Sequence, residues 1–357
     1  MKIAHLSVVH SVHDTRIYHK ECKSLSNAGH EVFLVIPHDK KEIAEGVSII
    51  PLKQFKKTIY RTYLNLPLVL FKSIKLNADV YHLHDPELIP VGVILKLFHK
   101  KIVYDIHEDY EVMPKRKFFR ILFGIYEKFA MGIFDKFIAV TSNIANRFPK
   151  DKTIILYNYP VLSLIDRNIK NSNKINIDKN KLVLIYQGGL TRNRGIKELI
   201  SAVGILNNKV NLILLGRWEK GFQEECQNLP GWNNVTYFGF KNVSEVYHYT
   251  LSSDIGLATL YYRPNYLVAL PVKVFEYMAF SIPSIISDFP YWKEIFADSA
   301  LFVNPKNPED IADKIKILIE DKKLREKLGK KGRELVETKY NWEKEAEKLI
   351  KLYKDLS

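Results

Sequence analysis

Short apolar runs alternate along this chain with longer segments of helical periodicity, and the alternation occurs in two series. Strands separated by helices favour a parallel sheet with crossover helices. The first series predicts strands at Ile3–Val9, Glu31–Ile36, Val47–Leu52, Val80–His84, Lys101–Ile106, Phe137–Thr141 and Thr153–Tyr157. The second predicts strands at Leu182–Tyr186, Asn211–Leu215, Val235–Phe238, Ile255–Thr259, Ser284–Ser287 and Ala300–Val303. We therefore expect an α/β protein with two doubly wound, parallel-sheet domains.

A polar stretch rich in Asn and Lys, residues 165–180, separates the two series. Its composition predicts an exposed loop or linker. A total of 357 residues also suits two domains. We place the first domain at residues 1–160 and the second at 161–340. We expect a C-terminal helix at 341–357 to return to the first domain.

The net charge of +14 favours an anionic partner, such as nucleic acid, acidic lipid or a phosphorylated small molecule. The two cysteines, Cys22 and Cys226, match neither a disulfide framework nor a metal motif, which favours a reducing cytoplasm. No apolar run reaches the roughly 18 residues of a membrane-spanning helix. The first residues predict an immediate strand and no signal peptide. We expect a cytoplasmic protein.

Ligands of open α/β sheets bind beyond the carboxyl ends of the strands. After the first strand of the second series, Gly188 and Gly189 permit close backbone approach to a ligand. Arg192 and Arg194 follow and supply forked donors for phosphate oxygens at the start of a helix. The turn is therefore a candidate diphosphate site. An ordinary glycine turn with two solvated arginines remains the alternative.

A second candidate segment begins at Pro271 and continues as an apolar helix, in which Lys273 and Glu276 lie one turn apart. A lysine here can neutralise a diphosphate, and a carboxylate can accept two hydrogen bonds from a ribose diol. A surface ion pair on an ordinary helix is the alternative. Two further strand-end glycines, Gly216 and Gly239, are candidates for contact with the base, and ordinary turn glycines would explain them equally well.

These two segments carry a resemblance to a known family. The sequence from Lys273 to Asp288 resembles the donor-site signature of the retaining family-4 glycosyltransferases, and the sequence from Gly188 to Gly195 is similar to their phosphate loop. The resemblance implies a GT-B fold, in which two Rossmann-like domains face a cleft. It implies that Glu276 binds the ribose hydroxyls, that Arg194 binds the diphosphate, and that no metal or other cofactor is needed.

Two positions depart from the family pattern. Val268 stands where many members have the first glutamate of a pair, which makes the position of the transferred sugar less certain. Gly188 and Gly189 stand where many members have Gly-Arg, and we expect Arg192 to supply the missing charge.

Polar residues also follow three strands of the first series, and they predict an acceptor site. A resemblance to the same family assigns His107 to contact with the transferred sugar, where a hydrogen bond could steady developing charge. Asp14 could instead cap a helix, with Arg16 solvated. Three histidines, His82, His84 and His107, invite a metal hypothesis, which we set aside because the resembled family needs no metal and because the two clusters fall on separate strand ends. The predicted acceptor residues are His10, Asp14, Arg16, His84, Asp105 and Glu108.

Two segments mix basic and aromatic residues. From Lys53 to Lys75 there is no acidic residue, and Lys115 to Arg120 forms a second cluster. Such a mixture favours peripheral contact with an anionic membrane surface. It would also suit single-stranded nucleic acid, or a solvated face with core-facing aromatics.

We therefore predict a glycosyltransferase of cell-surface polysaccharide biosynthesis, such as capsule or lipopolysaccharide. It would move a sugar from a nucleotide-sugar, UDP-linked or GDP-linked, to a saccharide or lipid-linked saccharide, with retention of configuration implied by the family. The residues expected to carry the reaction are His107, Arg194 and Glu276. A sugar-nucleotide epimerase of the same fold and a non-catalytic, basic nucleic-acid-binding protein remain as alternatives.

Overall fold

The computed structural model of the protein describes residues 1–12, 14–55, 58–107, 117–171 and 181–357. The chain divides into two compact units. The N-terminal unit comprises Met1–Asn158 together with Trp342–Ser357, and the C-terminal unit comprises Tyr159–Asn341. The last helix thus belongs to the same unit as the first strand.

The N-terminal unit contains an eight-stranded sheet in the order β3-β4-β2-β1-β5-β6-β7-β8. Only the pairing of β3 with β4 is antiparallel. The strands are β1 (Lys2–Leu6), β2 (Glu31–Pro37), β3 (Glu42–Ala44), β4 (Val47–Leu52), β5 (Val80–Leu83), β6 (Lys101–Ile106), β7 (Lys136–Ala139) and β8 (Thr153–Ile155).

Helices connect these strands and cover the sheet. A π-helical segment, Ile17–Cys22, continues directly into the first α-helix. The helices of this unit are α1 (Lys23–Asn27), α2 (Thr58–Leu76), α3 (Ile89–Leu97), α4 (Lys117–Ile133), α5 (Ser142–Ala145) and the C-terminal α15 (Trp342–Asp355).

The central strands of this sheet are buried on both faces, as parallel strands usually are, and are therefore mostly apolar. The exceptions are concentrated at their carboxyl ends. His5 on β1, His82 on β5 and Asp105 on β6 are fully buried, and His84 follows β5. These strands are neighbours, so the sheet order brings their polar residues together.

The C-terminal unit contains a six-stranded parallel sheet in the order β11-β10-β9-β12-β13-β14. The order reverses between β9 and β12, and ligands of such sheets bind beyond this point. The strands are β9 (Leu182–Gln187), β10 (Val210–Leu215), β11 (Val235–Tyr237), β12 (Ile255–Ala258), β13 (Ser284–Ser287) and β14 (Ala300–Val303).

Nine α-helices are described in this unit. They are α6 (Leu162–Asn171), α7 (Ile196–Ile205), α8 (Phe222–Gln227), α9 (Val243–Leu251), α10 (Pro264–Leu267), α11 (Val272–Ala279), α12 (Pro290–Phe296), α13 (Pro308–Glu320) and α14 (Lys322–Thr338). The predicted fold class, two parallel-sheet α/β domains, is confirmed.

The interpretation of residues 165–180 as a loop was wrong for its first part. The helix α6 extends to Asn171, while 172–180 lie outside the described residues. Only Ile165 of this helix is fully buried, so the sequence looks polar throughout. Asp166 accepts a hydrogen bond of 2.7 Å from Arg333 of α14, a long-range contact that no local pattern reveals.

Among the described residues, no helix is both long enough and apolar enough to cross a bilayer.

Candidate functional site

The turn after β9 is shaped by Gly188, whose φ of 124° lies in a region that side-chain-bearing residues rarely adopt. A Cβ atom at this position would lie 3.1 Å from Arg194 Nη1 and 3.1 Å from Lys273 Nζ. Two cationic groups therefore face the same glycine. The structure brings together Gly188, Arg194 and Lys273, which the sequence places in two separate segments.

Lys273 has an unusual environment for a lysine. Its ammonium nitrogen is buried, lies 3.8 Å from the centre of the Tyr186 ring, and has no hydrogen-bond partner among the described residues. Burial and the nearby charge of Arg194 hold the pKa of Lys273 well below its usual range. An unpartnered ammonium group beside a guanidinium group favours binding of an anion, which would compensate both charges.

Arg194 precedes helix α7 and is partly buried. Its guanidinium group interacts with the phenols of Tyr186 and Tyr266. Within the described part of the chain, no carboxylate forms an ion pair with Arg194 or Lys273. Among the described residues, the basic groups of Arg194 and Lys273 therefore have no carboxylate within ion-pair distance.

Glu276 lies one helical turn after Lys273 on α11. The amide of Gln187, the last residue of β9, donates a hydrogen bond to Glu276 Oε2. Gln187 Oε1 in turn accepts one of 3.3 Å from the Thr250 hydroxyl. The carboxylate is thus fixed by the side chain of Gln187. Sequence reasoning missed this residue because it precedes Gly188 and carries no charge that would suit a diphosphate.

Arg192 differs from Arg194, although only one residue separates them. Its guanidinium group forms ion pairs with Glu219, at 2.8 Å, and with Glu225, and it stacks on Phe222. Its charge is already balanced by the protein. The structure therefore does not bring Arg192 together with Arg194 and Lys273, contrary to the expectation that Arg192 supplies an additional phosphate-binding charge.

The other predicted donor residues occupy the ends of neighbouring strands. Gly216 follows β10 with a φ of 146°, and a Cβ atom there would lie 1.8 Å from the Gly188 carbonyl oxygen, so close approach explains this glycine. The Gly216 amide donates a hydrogen bond of 2.8 Å to the Gly239 carbonyl. A Cβ atom at Gly189 would make only ordinary van der Waals contacts, and Pro271 immediately precedes α11.

In the N-terminal unit, Arg16 and Asp105 form a buried, two-point ion pair. Arg16 Nε lies 2.9 Å and Nη2 3.0 Å from the two Asp105 carboxylate oxygens. Arg16 Nη1 donates to the Leu156 carbonyl at 3.0 Å, and Nε lies 3.0 Å from Glu21 Oε1. Only 3% of Arg16 is exposed, so the alternative that it is solvated was wrong.

His107 is oriented by this buried pair. Its Nε2 atom lies 2.9 Å from Asp105 Oδ2 and 3.1 Å from His84 Nδ1. Burial lowers the pKa of His84 to about 4, so its ring is neutral near pH 7. His107 is about one tenth exposed, whereas His84 and Asp105 are fully buried. Of His84, Asp105 and His107, it is therefore His107 that can contact a ligand.

His10 and Asp14 lie at the end of β1. Asp14 Oδ1 accepts backbone hydrogen bonds from Arg16, at 2.9 Å, and from Ile17, at 3.0 Å, so the side chain does stabilise the start of the following helical segment. Its other oxygen lies 3.1 Å from His10 Nδ1. Burial opposes the charged form of His10, but the hydrogen bond to Asp14 and the charge of Asp85 outweigh it and raise the pKa of His10.

Several residues of this cluster were not selected from the sequence. Asp85 Oδ2 accepts hydrogen bonds from the Ser7 hydroxyl, at 2.9 Å, and from the Val8 amide, at 2.6 Å, and so fixes the loop after β1. His5 and Glu21 are fully buried beside the predicted residues. A polar residue in a buried strand was the available signal for His5. Glu108 lies outside the described residues.

Each of the two units matches the model of a known protein family. Residues 8–158 match the family described as Glycosyltransferase Family 4. Residues 168–335 match the family described as Glycosyl transferases group 1. The first match contains the His10, Arg16, Asp105 and His107 cluster, and the second contains Arg194, Lys273 and Glu276.

Curated relatives include an uncharacterized glycosyltransferase of Methanocaldococcus jannaschii, 27% identical over 58% of this chain and 55% of the relative. The N,N'-diacetylbacillosaminyl-diphospho-undecaprenol alpha-1,3-N-acetylgalactosaminyltransferase of Campylobacter jejuni is 29% identical over 50% of this chain and 46% of the relative. The chain thus matches about half the length of these two relatives. A capsular polysaccharide biosynthesis glycosyltransferase, CapM, of Staphylococcus aureus is 24% identical over 64% of each chain.

Solved structures share the fold over the whole chain. Sucrose-phosphate synthase of Thermosynechococcus elongatus has a TM-score of 0.78 at 19% identity and covers 99% of this chain and 98% of its own. HepE of Anabaena in complex with UDP-glucose has a TM-score of 0.73 at 14% identity, covering 99% and 100%. At these identities the likeness establishes the fold alone, which is the GT-B fold.

Proposed function

We propose that this chain moves a sugar from a nucleotide-sugar donor to a saccharide or lipid-linked saccharide acceptor in cell-surface polysaccharide biosynthesis. The families that its two units match indicate a glycosyltransferase of the group 1 type. The observation that carries this proposal is the pair of cations at Gly188, where the Lys273 ammonium lacks a partner among the described residues. A diphosphate has the charge that such a pair requires.

The donor diphosphate binds Arg194 and Lys273, and Glu276 accepts hydrogen bonds from the ribose hydroxyls. Gly188 lets the diphosphate approach the turn, because a side chain there would contact both cationic groups. We favour a UDP-linked donor over a GDP-linked one, since similar folds have been solved with UDP and UDP-glucose. Arg217 stacks on the exposed Phe240 at 4.5 Å, beside the strand-end glycines, and this pair is a candidate platform for the base.

The reaction breaks the bond between the anomeric carbon and the diphosphate oxygen and forms a bond from that carbon to the acceptor hydroxyl oxygen. Arg194 and Lys273 stabilise the negative charge that develops on the leaving diphosphate, so the donor site requires no metal ion. We propose retention of configuration, with the hydroxyl proton passing to the departing phosphate oxygen. His107 donates or accepts a hydrogen bond at the transferred sugar.

The burial of the N-terminal cluster divides its predicted site residues into two groups. His10, Asp14 and His107 are partly exposed, and the two histidines can contact a ligand. Arg16, His84 and Asp105 are buried, and we propose that they hold His107 in place instead of binding the acceptor. The role of Asp14 is to fix His10 and the helix start, as its three hydrogen bonds indicate.

A lipid-linked acceptor would bring the protein to a membrane surface. Helix α4 exposes Ile121, Ile125 and Phe129, at a spacing of four residues that places them on one face. Helix α2 exposes Leu64, Phe71 and Ile74, and Lys75 and Lys128 are exposed on the same two helices. We propose that these helices contact an anionic membrane, and we expect no nucleic-acid partner. Of the basic cluster from Lys115 to Arg120, residues 115 and 116 lie outside the described residues.

The membrane proposal is tested by the double substitution Ile125→Asp and Phe129→Asp. Partition onto vesicles of phosphatidylglycerol and phosphatidylcholine should weaken, because two apolar contacts become charged. Ile317→Asp is a matched control, since Ile317 is an exposed isoleucine of the C-terminal unit. Equal partition of the double variant and the wild type would remove this proposal.

The activity is tested in two steps. A panel of sugar nucleotides is first screened by thermal shift, because a ligand that binds only the folded state raises the melting temperature. The stabilising donor is then incubated with saccharide and lipid-linked acceptors. Glu276→Ala should abolish most transfer while the melting temperature of the ligand-free protein stays close to that of the wild type. Wild-type turnover in this variant would contradict the assignment of Glu276, and conversion of the donor without any acceptor would indicate an epimerase.

A further inference from the structure

Four fully buried side chains, His5, Glu21, His82 and His84, meet beneath the strand ends of the N-terminal unit. We refer to them as the histidine cluster. Each offers one ligand atom, and these four atoms all lie within 4.8 Å of one another. We propose that the histidine cluster binds one divalent transition-metal ion, with Zn²⁺ as the best match, in a structural site.

The distances between the ligand atoms suit a tetrahedral ion. His5 Nδ1 lies 2.9 Å from His84 Nε2. Glu21 Oε2 lies 3.8 Å from His82 Nε2 and 3.9 Å from His84 Nε2. Zinc bonds of about 2.0–2.1 Å in tetrahedral geometry place neighbouring ligand atoms roughly 3.3 Å apart. These three distances bracket this value, and the remaining pairs of ligand atoms also lie within 4.8 Å of each other.

The hydrogen bonds of the cluster are incomplete without a further partner. Among the described residues, His5 Nε2, His82 Nε2 and both Glu21 oxygens are buried without a hydrogen bond, although Glu21 Oε1 lies 3.0 Å from Arg16 Nε. A buried polar atom without a partner costs on the order of 1–3 kcal/mol. One metal ion would provide a partner for His82 Nε2 and Glu21 Oε2 at once, whereas the hydrogen bond between His5 and His84 leaves both atoms without one.

The charges of the surrounding groups favour a cation. The guanidinium group of Arg16 faces two carboxylates, those of Asp105 and Glu21, at 2.9 Å and 3.0 Å. One negative charge is therefore left over if both carboxylates are ionised.

Two of the histidines are oriented by neighbouring oxygen atoms. The second nitrogen of a metal-binding imidazole usually binds an oxygen that orients the ring. His82 Nδ1 lies 2.9 Å from the Tyr353 hydroxyl, and His84 Nδ1 lies 3.7 Å from Asp105 Oδ2. Both contacts direct Nε2 towards the centre of the cluster.

The metal hypothesis set aside on the sequence concerned His82, His84 and His107 and did not include His5 or Glu21. In the fold β1 and β5 are adjacent, and His5 and His82 are paired in register, so that His5 joins His82 and His84. With four protein ligands and no exposed member, the site has the closed form of structural zinc sites and leaves no position for a substrate. The proposal is therefore independent of the transfer reaction.

The test measures metal content and needs no activity. The full chain is purified with a tag that contains no histidine run, and its zinc is measured by mass spectrometry. We expect about one zinc ion per chain. His82→Gln should lose the ion, whereas His99→Asn, at an exposed position with a positive φ of 58°, should keep it.

A second measurement covers the case in which His82→Gln does not fold. Wild-type protein unfolded with a chelator and refolded with Co²⁺ should show the strong visible absorption of tetrahedral cobalt, and a chelator should lower its melting temperature. Wild-type protein that carries no zinc and gives no cobalt spectrum would overturn the proposal. Folded His82→Gln that retains a full equivalent of zinc would overturn the choice of ligands.

Discussion

The two polar regions of this protein differ in whether their cationic side chains are paired with carboxylates. In the C-terminal unit, Arg194 and Lys273 face one glycine, and within the described chain neither forms an ion pair with a carboxylate. In the N-terminal unit, the charge of Arg16 is opposed by Asp105 and Glu21, and the backbone carbonyl of Leu156 accepts a further hydrogen bond from its guanidinium group. The cations of the first region await an anion, while the cation of the second is already paired by carboxylates of the protein.

This difference distinguishes residues that bind a ligand from residues that stabilise the fold. A buried ion pair is costly to break, because removal of one partner leaves the other charge buried and uncompensated. An uncompensated cation at the end of a strand instead gains energy when an anionic ligand arrives. Substitutions in the N-terminal cluster should therefore act mainly on folding stability, and substitutions at the C-terminal turn mainly on ligand affinity.

The largest effect is expected for Arg16→Ala, which leaves Asp105 and Glu21 without their cation. The free energy of unfolding should fall by about 3–5 kcal/mol, measured by urea denaturation followed by circular dichroism. Lys331→Ala removes an exposed ion pair with Glu334 and should leave the denaturation midpoint nearly unchanged. Equal midpoints for Arg16→Ala and the wild type would show that the buried pair does not support the fold.

Arg194→Ala should act on affinity and not on folding. Loss of one charged hydrogen-bonding group costs about 1.5–3 kcal/mol, so the Kd of the stabilising nucleotide should rise roughly 10–150-fold in titration calorimetry. The melting temperature of the ligand-free variant should not fall, because no ion pair is lost. An unchanged Kd would mean that the diphosphate binds elsewhere.

The affinity for the diphosphate should depend on pH through Lys273. The pKa of this lysine is lowered in the free protein, so its amine loses the proton below the usual range. A bound diphosphate favours the ammonium form, and binding above the lowered pKa must therefore take up a proton. Affinity should fall as pH rises through that range, by at most about tenfold per pH unit.

Calorimetry in two buffers of different ionisation enthalpy measures this proton uptake directly. Lys273→Arg keeps its charge at every accessible pH and should abolish the uptake. Lys293→Arg is the matched control, because Lys293 is half-exposed on α12 of the same unit. An identical pH slope in the wild type and Lys273→Arg would contradict the role of Lys273.

The smallest effect is expected for Arg192→Ala. Its ion pairs with Glu219 and Glu225 are exposed, and its charge is balanced before any ligand binds. The nucleotide Kd should change less than about fivefold, in contrast with Arg194→Ala. A loss as large as that of Arg194→Ala would instead support the interpretation that Arg192 supplies a phosphate-binding charge.

The contrast between these arginines also shows what the sequence could predict. The strands β4 and β6 were predicted with the observed bounds, since short, mostly apolar runs are a local signal. Gly188, Lys273 and Glu276 could be selected from the sequence because their chemistry is local to a turn and a helix. The partners of Arg192 lie 27 and 33 residues away, and Asp105 lies 89 residues from Arg16. Such pairs depend on the folded sheet order and leave no local pattern.

The helix α6 was missed for a different reason. Its composition is polar and only one side chain is fully buried, which obscured the helical spacing of Leu162, Ile165 and Ile169. The contact between Asp166 and Arg333 joins it to α14 across 167 residues. A long-range ion pair of this kind stabilises a segment that composition alone assigns to a loop.

A structure of the protein crystallised with UDP tests the central claim most directly. We predict that diphosphate oxygens lie within hydrogen-bonding distance of the Arg194 guanidinium and the Lys273 ammonium, with the ribose hydroxyls on the Glu276 carboxylate. A diphosphate bound away from Gly188, with both cations still uncompensated, would contradict the account.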